Sequence, residues 1–283
     1  GIPGVLLQPR PFILGALPLR RDAALRQVTR VARTGRSTWL HVTYRATHPE
    51  VPLPFGADRG LLAWLTTKGF QTGEIRFSAI AEYFRAFGID PGGASYRAFR
   101  ERFRRLAHLE ITLHERDLGK PGAPRTLRLL PRPEQALASD FDPCQDLRKV
   151  ALSYERYRLR LDEDFYQHLL DTRVPTSLRV LRHFHDRPLA WDFAQFLLWR
   201  SFAAQTRSHI AWSDLQAQLG SADQDHRRLR CKLQRVLGEL RAFHPDLPAR
   251  FLPRTGTLQI EPWMPGREEE VQQEGPVQAQ APS

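Results

Sequence analysis

The chain passes twice through one order of elements: apolar helix, short strand, Ser-capped helix, glycine turn, basic helix, hairpin. The two seams match in letters, Ile75-Arg76-Phe77-Ser78 and Ile210-Ala211-Trp212-Ser213 both reading Ile-x-aromatic-Ser. Each leads through a short helix to a glycine, Gly88 or Gly220, the residue that most readily closes a helix in the left-handed conformation. A period of about 135 residues is too long for a solenoid unit and describes two related domains. Helix–strand–helix–turn–helix–hairpin is the winged-helix layout, a helix-turn-helix variant whose last helix enters the major groove of DNA. The expected fold is therefore α+β, mainly helical, built as two tandem winged-helix domains.

Hydrophobic spacing fills in the organisation. Residues 1–37 read as a basic N-terminal arm. Arg20, Arg21, Arg26, Arg30, Arg33 and Arg36 stand against Asp22, and Leu25, Val28 and Val31 give 20–36 the spacing of a short helix. The first winged-helix domain spans 38–133. It holds a strand to Ala46, helices at Gly60–Lys68 and Ser78–Phe87, a strand at Glu74–Phe77, a basic helix at Ala94–Leu109, and a hairpin of 110–115 with 126–130. A connector, 134–156, follows. The second winged-helix domain spans 157–264. Its strand at 157–161 leads to helices at 162–171, 177–185 and 190–205. A strand at 209–212 then precedes a helix with Ser213 and Gln216 as its capping box. A basic helix at Asp225–Phe243 and a hairpin around Arg254-Thr255-Gly256 complete it. Residues 265–283, with four Glu, one Arg and no aromatic residue, read as a disordered acidic tail.

Charge names the partner class. Lys and Arg number 42 against 31 Asp and Glu, the net charge is +11, and all but four of the basic residues are Arg. Such a surplus points to an anionic partner, and the guanidinium fork suits phosphate and guanine edges. No apolar run approaches the ~20 residues of a membrane span. Placed at 100° per residue, the first basic helix buries Phe99, Phe103 and Leu106 and turns Arg97, Glu101, Arg104 and His108 outward, with Arg100 and Arg105 on the flanks. The second buries Leu229, Leu233, Val236, Leu237 and Leu240 and turns Arg227, Cys231 and Gln234 outward, with Arg228, Arg230 and Arg235 flanking. Solvated faces ordinarily mix signs; these are close to one sign. The expected DNA-binding residues are Arg97, Arg100, Arg104, Arg105, Arg227, Arg228, Arg230, Gln234 and, at the hairpin tip, Arg254. The first helix is expected to position phosphates and the second to read bases.

No catalytic centre, cofactor or metal is expected. Two separated cysteines, Cys144 and Cys231, make neither a disulfide framework nor a zinc site, and they suit a reducing cytosol. His183-Phe184-His185 has the form of the metal-binding motif of rolling-circle nicking enzymes, with Tyr154 or Tyr157 as nucleophile. Its residues follow a helical spacing that turns the two imidazoles apart, and they read as surface or boundary groups. Gly119-Lys120 lacks the preceding glycine of a phosphate loop. Asp162, Glu163 and Asp164 read as helix-start residues.

Several stretches resemble the plasmid-encoded RepA replication initiators, a theta-type family. They are Asp58-Arg59-Gly60-Leu61-Leu62-Ala63-Trp64-Leu65, Phe84-Arg85-Ala86-Phe87-Gly88-Ile89 with Arg100–Leu106, Asp164-Phe165-Tyr166 with Val174-Pro175, Leu198-Trp199-Arg200, and Ile210-Ala211-Trp212-Ser213-Asp214-Leu215. The similarity runs from about residue 55 to 263. It implies a cytoplasmic bacterial protein that binds duplex DNA at repeated sites in a plasmid origin, opens the origin, and recruits the host replication initiator and helicase machinery. It also implies two winged-helix domains and a homodimer that changes to monomer. A winged-helix transcriptional repressor is the alternative within the same physics, and a metal-dependent nicking enzyme the alternative outside it. The acidic tail has no counterpart in the family.

Overall fold

A computed structural model describes residues 4–35, 37–117, 122–131, 157–221 and 226–263. The expected connector at 134–156 and tail at 265–283 lie outside them, as do Lys120 and Tyr154. The first half contains β1 (Val5–Pro9), α1 (Pro11–Leu14), β2 (Gln27–Arg33), β3 (Thr38–Ala46), α2 (Asp58–Gly69), β4 (Glu74–Phe77), α3 (Ala81–Phe87), α4 (Gly93–Ala107), β5 (Leu109–Asp117) and β6 (Arg125–Arg128). The second contains β7 (Tyr157–Arg160), α5 (Glu163–Thr172), β8 (Arg173–Ser177), α6 (Leu178–His183), α7 (Pro188–Ala203), β9 (Ser208–Ala211), α8 (Trp212–Leu219), α9 (His226–Arg241), β10 (Ala249–Leu252) and β11 (Thr257–Ile260). The fold is mixed α and β.

The repeat is visible in the order β4–α3–α4–β5–β6 against β9–α8–α9–β10–β11. Gly88 and Gly220 close α3 and α8 with φ of 66° and 62°, a conformation that costs other residues free energy. The two copies differ in their sheets. In the second half, β9 joins the hairpin as a three-stranded antiparallel sheet, β10-β11-β9. In the first, β4 leaves its hairpin and pairs with β7 across the halves, Ile75 opposite Leu159. The β5–β6 hairpin instead extends a four-stranded antiparallel sheet, β2-β3-β5-β6.

The N-terminal segment is not an arm, and 20–36 is not a helix. β1 pairs with β8 of the second half, Leu6 opposite Thr176. Phe12, Ile13 and Leu14 are buried, and Phe12 stacks on Tyr44 at 5.8 Å. β2 lies along β3 with Val28 opposite Tyr44 and Ala32 opposite Leu40. The three-residue spacing of Leu25, Val28 and Val31 suggested a helix. Val28, Thr29 and Val31 are β-branched, however, and a neighbouring strand was there to receive them. The backbone carbonyl of Ala16 accepts from Arg30 Nε at 3.0 Å, and that of Gly15 accepts from the Tyr44 hydroxyl.

Two expected caps also change. α8 starts at Trp212 with Ala211 as its cap, and the Gln216 amide donates to Ser221 O rather than closing a box with Ser213. Ser78 stands ahead of α3, its N–H and hydroxyl both donating to the Glu82 carboxylate. Asp162 caps α5 as its position suggested, accepting from the N–H groups of Asp164 and Phe165.

One hydrophobic cluster runs through both halves. At their junction, Phe87 of α3 packs on His185 (4.7 Å) and Trp191 of α7 (6.1 Å), and Gly60 of α2 lets the His185 ring approach its backbone. Beside this sits a buried ion pair, both partners 3% exposed. Arg59 donates to Asp192 Oδ1 at 2.6 Å and Oδ2 at 2.7 Å. Its remaining hydrogens go to Pro18 O, Gly56 O and Leu17 O. All five guanidinium donors are thereby used, tying α2, α7 and the N-terminal segment together.

Candidate nucleic-acid interface

α9 owes its position to its apolar side. Leu229, Leu233, Val236, Leu237 and Leu240 are buried, the i, i+4, i+7, i+8, i+11 positions of one helical face. The opposite side is left to solvent: Arg227, Arg228, Cys231, Lys232, Gln234 and Arg235 are exposed. Arg230 is half-buried, and its Nε is shielded from water without a hydrogen-bond partner. No acidic residue occurs from His226 to Leu237. Glu239, one turn on, is neutralised by Arg187 (Nη1 to Oε1, 2.9 Å) and faces His183 (Nε2 to Oε2, 2.8 Å). The Arg187 hydrogen bonds, with His183 and against burial, hold its carboxyl down at about 2. Gln234 sits at the lip of a groove between α9 and β10, lined also by Leu237, Gly238, Arg241, Arg250 and Phe251. Arg254 is exposed at the tip of the β10–β11 hairpin, whose turn uses Gly256 at φ 62°.

α4 buries Phe99, Phe103 and Leu106, but its basic face is thinner than its sequence. Arg97 is exposed, as is Glu101, while Arg100 and Arg104 are half-buried. Arg104 lies 4.0 Å from the exposed Glu50, a contact of little energetic weight. Arg105 is committed elsewhere: it donates to both oxygens of buried Asp58, at 2.6 and 2.9 Å, and lies 4.4 Å over the Phe55 ring. Arg102 turns the same way, to the Tyr83 hydroxyl at 3.2 Å. Arg105 is therefore an interior anchor of α4 on α2, not an outward group. A buried carboxylate is held in place only when paired, and at Asp58 the close partner is Arg105, with Arg102 Nε further off at 3.9 Å. Charge periodicity along α4 alone carries no sign of it.

The histidine motif does not converge. His183 is exposed beside Glu239. His185 is buried, 6% exposed, which corrects its reading as a surface or boundary group. It is walled by Phe87, Tyr83 and Trp191, and burial, with Arg102 nearby, pushes its pKa down to about 4. Among the described residues, no three His, Cys, Asp or Glu side chains group as metal ligands, and no helix is long and apolar enough to cross a membrane.

Residues 71–213, just over half of the chain, match the family model described as plasmid-encoded RepA protein. The chain belongs to the plasmid-encoded RepA family. The matched span begins beside β4 and ends at the start of α8, so the family signature covers both seams and the junction between the halves. α9 and its hairpin lie beyond it. Among solved structures, the crystal structure of RctB domains 2–3 aligns with a TM-score of 0.51 and 17% identity, over 81% of this chain and 83% of that one. A selenomethionine derivative of the same two RctB domains aligns with a TM-score of 0.49 and 17% identity, over 82% and 84%. A search of curated proteins finds no match.

Proposed function

We propose that this RepA-family chain is a non-catalytic, sequence-specific duplex-DNA-binding protein that initiates plasmid replication at its origin. The observation that carries the reading is the exposed face of α9, which presents cations and Gln234 with no carboxylate among them. Cations neutralise phosphates and release counterions, and Arg with Gln supplies bidentate donors for guanine and adenine edges. The sheet β10-β11-β9 beside α8 and α9 supports a winged-helix assignment for the second half, with Arg254 on the wing. The first half carries the helix pair and hairpin of the same layout, its hairpin merged into a larger sheet.

On this reading the domains divide at 134–156, the protein acts in the bacterial cytoplasm, and its partners are repeated origin sites, a second copy of itself and the host initiator and helicase machinery. Of the expected contacts, Arg97, Arg100, Arg104, Arg227, Arg228, Arg230, Gln234 and Arg254 remain assigned to DNA. The test is footprinting on the DNA flanking the encoding gene, followed by maintenance of a plasmid carrying the protected segment. Protection of repeated sites and origin-dependent maintenance are expected. Protection without maintenance would point to a repressor, and no protection would remove the DNA assignment.

A further inference from the structure

Among the described residues, the core packs on only one face of the four-stranded sheet. Along β3, Leu40, Val42 and Tyr44 point inward and are buried, so Trp39, His41, Thr43 and Arg45 point outward by the alternation of a strand. The register aligns their neighbours in rows. Arg33, Trp39 and Arg116 form one, and Val31, His41 and His114 the next. The third row is Thr29, Thr43, Thr112 and Thr126, whose exposed hydroxyls pair at 2.9 and 3.4 Å. Trp39 is half-buried and stands outside the core cluster. An indole joins a large apolar area to a polar N–H, and the part of Trp39 left open on this face can stack on a planar ring.

The charge on this face is of one sign. Of the outward positions on the described strands, only Glu110 is acidic, and it is already paired with Arg45 and Arg128. Arg33 and Arg116 flank the indole on either side, and both are exposed. Burial, with Arg116 and His114 nearby, lowers the pKa of His41. Four strands span about 14 Å at ~4.8 Å spacing, room for two or three unpaired bases laid across a sheet.

We propose that this face is a platform for single-stranded DNA, with Trp39 stacking on a base and Arg33 and Arg116 holding the adjacent phosphates. Aromatic stacking inside a cationic track is how single strands are gripped without sequence preference. The choice of DNA rests on the duplex-DNA reading above: a chain that holds a duplex site meets strands unpaired beside it. Face and helices use different residues, so the two activities separate by mutation.

The test is fluorescence anisotropy of the full chain with labelled oligothymidylate of about ten nucleotides, beside a labelled duplex. Trp39→Ala is expected to weaken oligothymidylate binding about tenfold or more, Trp39→Phe to retain most of it, and Arg116→Ala to weaken it and flatten its salt dependence. Duplex affinity and the urea midpoint of each variant should match wild type. Duplex binding without oligothymidylate binding, or single-strand affinity indifferent to Trp39→Ala, would overturn the platform and leave the duplex reading standing. Oligothymidylate binding lost on Trp39→Ala, with no duplex binding by wild type, would support the platform and remove the duplex reading. Tighter binding of oligouridylate would overturn the assignment to DNA. Self-association abolished by Trp39→Ala at unchanged single-strand affinity would make the face a contact between copies.

Discussion

Replacing Asp192 by Ala removes both carboxylate oxygens from the buried guanidinium of Arg59 and leaves two of its donors, Nε and one hydrogen of Nη2, without acceptors. The cation stays fixed by three backbone carbonyls and 3% exposed, so it cannot turn out to water. Breaking one side of a buried pair in this way costs about 3–5 kcal/mol, a large share of the ~5–15 kcal/mol that holds a typical domain folded. The pair joins α2 to α7 inside one continuous core, so urea unfolding followed by circular dichroism should remain a single transition with a lower midpoint. Arg59→Met with Asp192→Leu removes both charges and should lose clearly less than the two single substitutions added together, with a coupling of roughly 2 kcal/mol or more. A single-mutant loss below about 1 kcal/mol, or strictly additive losses, would refute the account of Arg59 and Asp192 as the joint between the halves.

Other consequences follow from particular side chains. Burial keeps His185 neutral in the fold down to about pH 4, while in the unfolded chain it protonates near 6.5. Its folded pKa is the lower, so stability is lost as pH falls from about 6.5 to 4, by up to about 3 kcal/mol, and urea midpoints of His185→Leu should depend less on pH across that window than those of wild type. Gly220→Ala places a methyl group at positive φ and against the Arg30 guanidinium. It should cost more than about 1 kcal/mol and weaken duplex binding through α9, measured by denaturation and by anisotropy. Arg105→Ala should lower the melting temperature and leave DNA affinity nearly unchanged once folded, whereas Arg97→Ala should weaken specific and scrambled duplexes alike and leave melting unchanged.

The parts of the fold that local rules govern were legible. β4 lies at the residues read as a short strand, α4 and α9 bury the stripes their spacing picked out, and Gly88 and Gly220 end their helices in the left-handed region. What sequence spacing missed was pairing at long range. Nothing local in Val5–Pro9 says that its partner is Arg173–Ser177, nor that Glu74–Phe77 would leave its own hairpin for Tyr157–Arg160. The stretch Asp58-Arg59-Gly60 stood out only as a family likeness. In the fold the three residues act separately, since Asp58 anchors Arg105, Arg59 holds Asp192, and Gly60 admits His185. The basic face of α9 was readable because its exposed cations lie close together in sequence with no acidic residue from His226 to Leu237. That of α4 was overcounted because Asp58, far along the chain, takes Arg105.

If this chain grips a DNA duplex electrostatically through the exposed faces of α9 and α4, duplex affinity must fall steeply with salt. With six to eight phosphates neutralised, the slope of log K on log salt should be roughly −5 to −7. Arg227→Ala with Arg228→Ala should make it shallower by about two units, and Gln234→Ala should cost about 1–3 kcal/mol on the protected site and much less on scrambled DNA. An affinity that barely moves between low and physiological salt, or a slope untouched by the α9 substitutions, would contradict the claim.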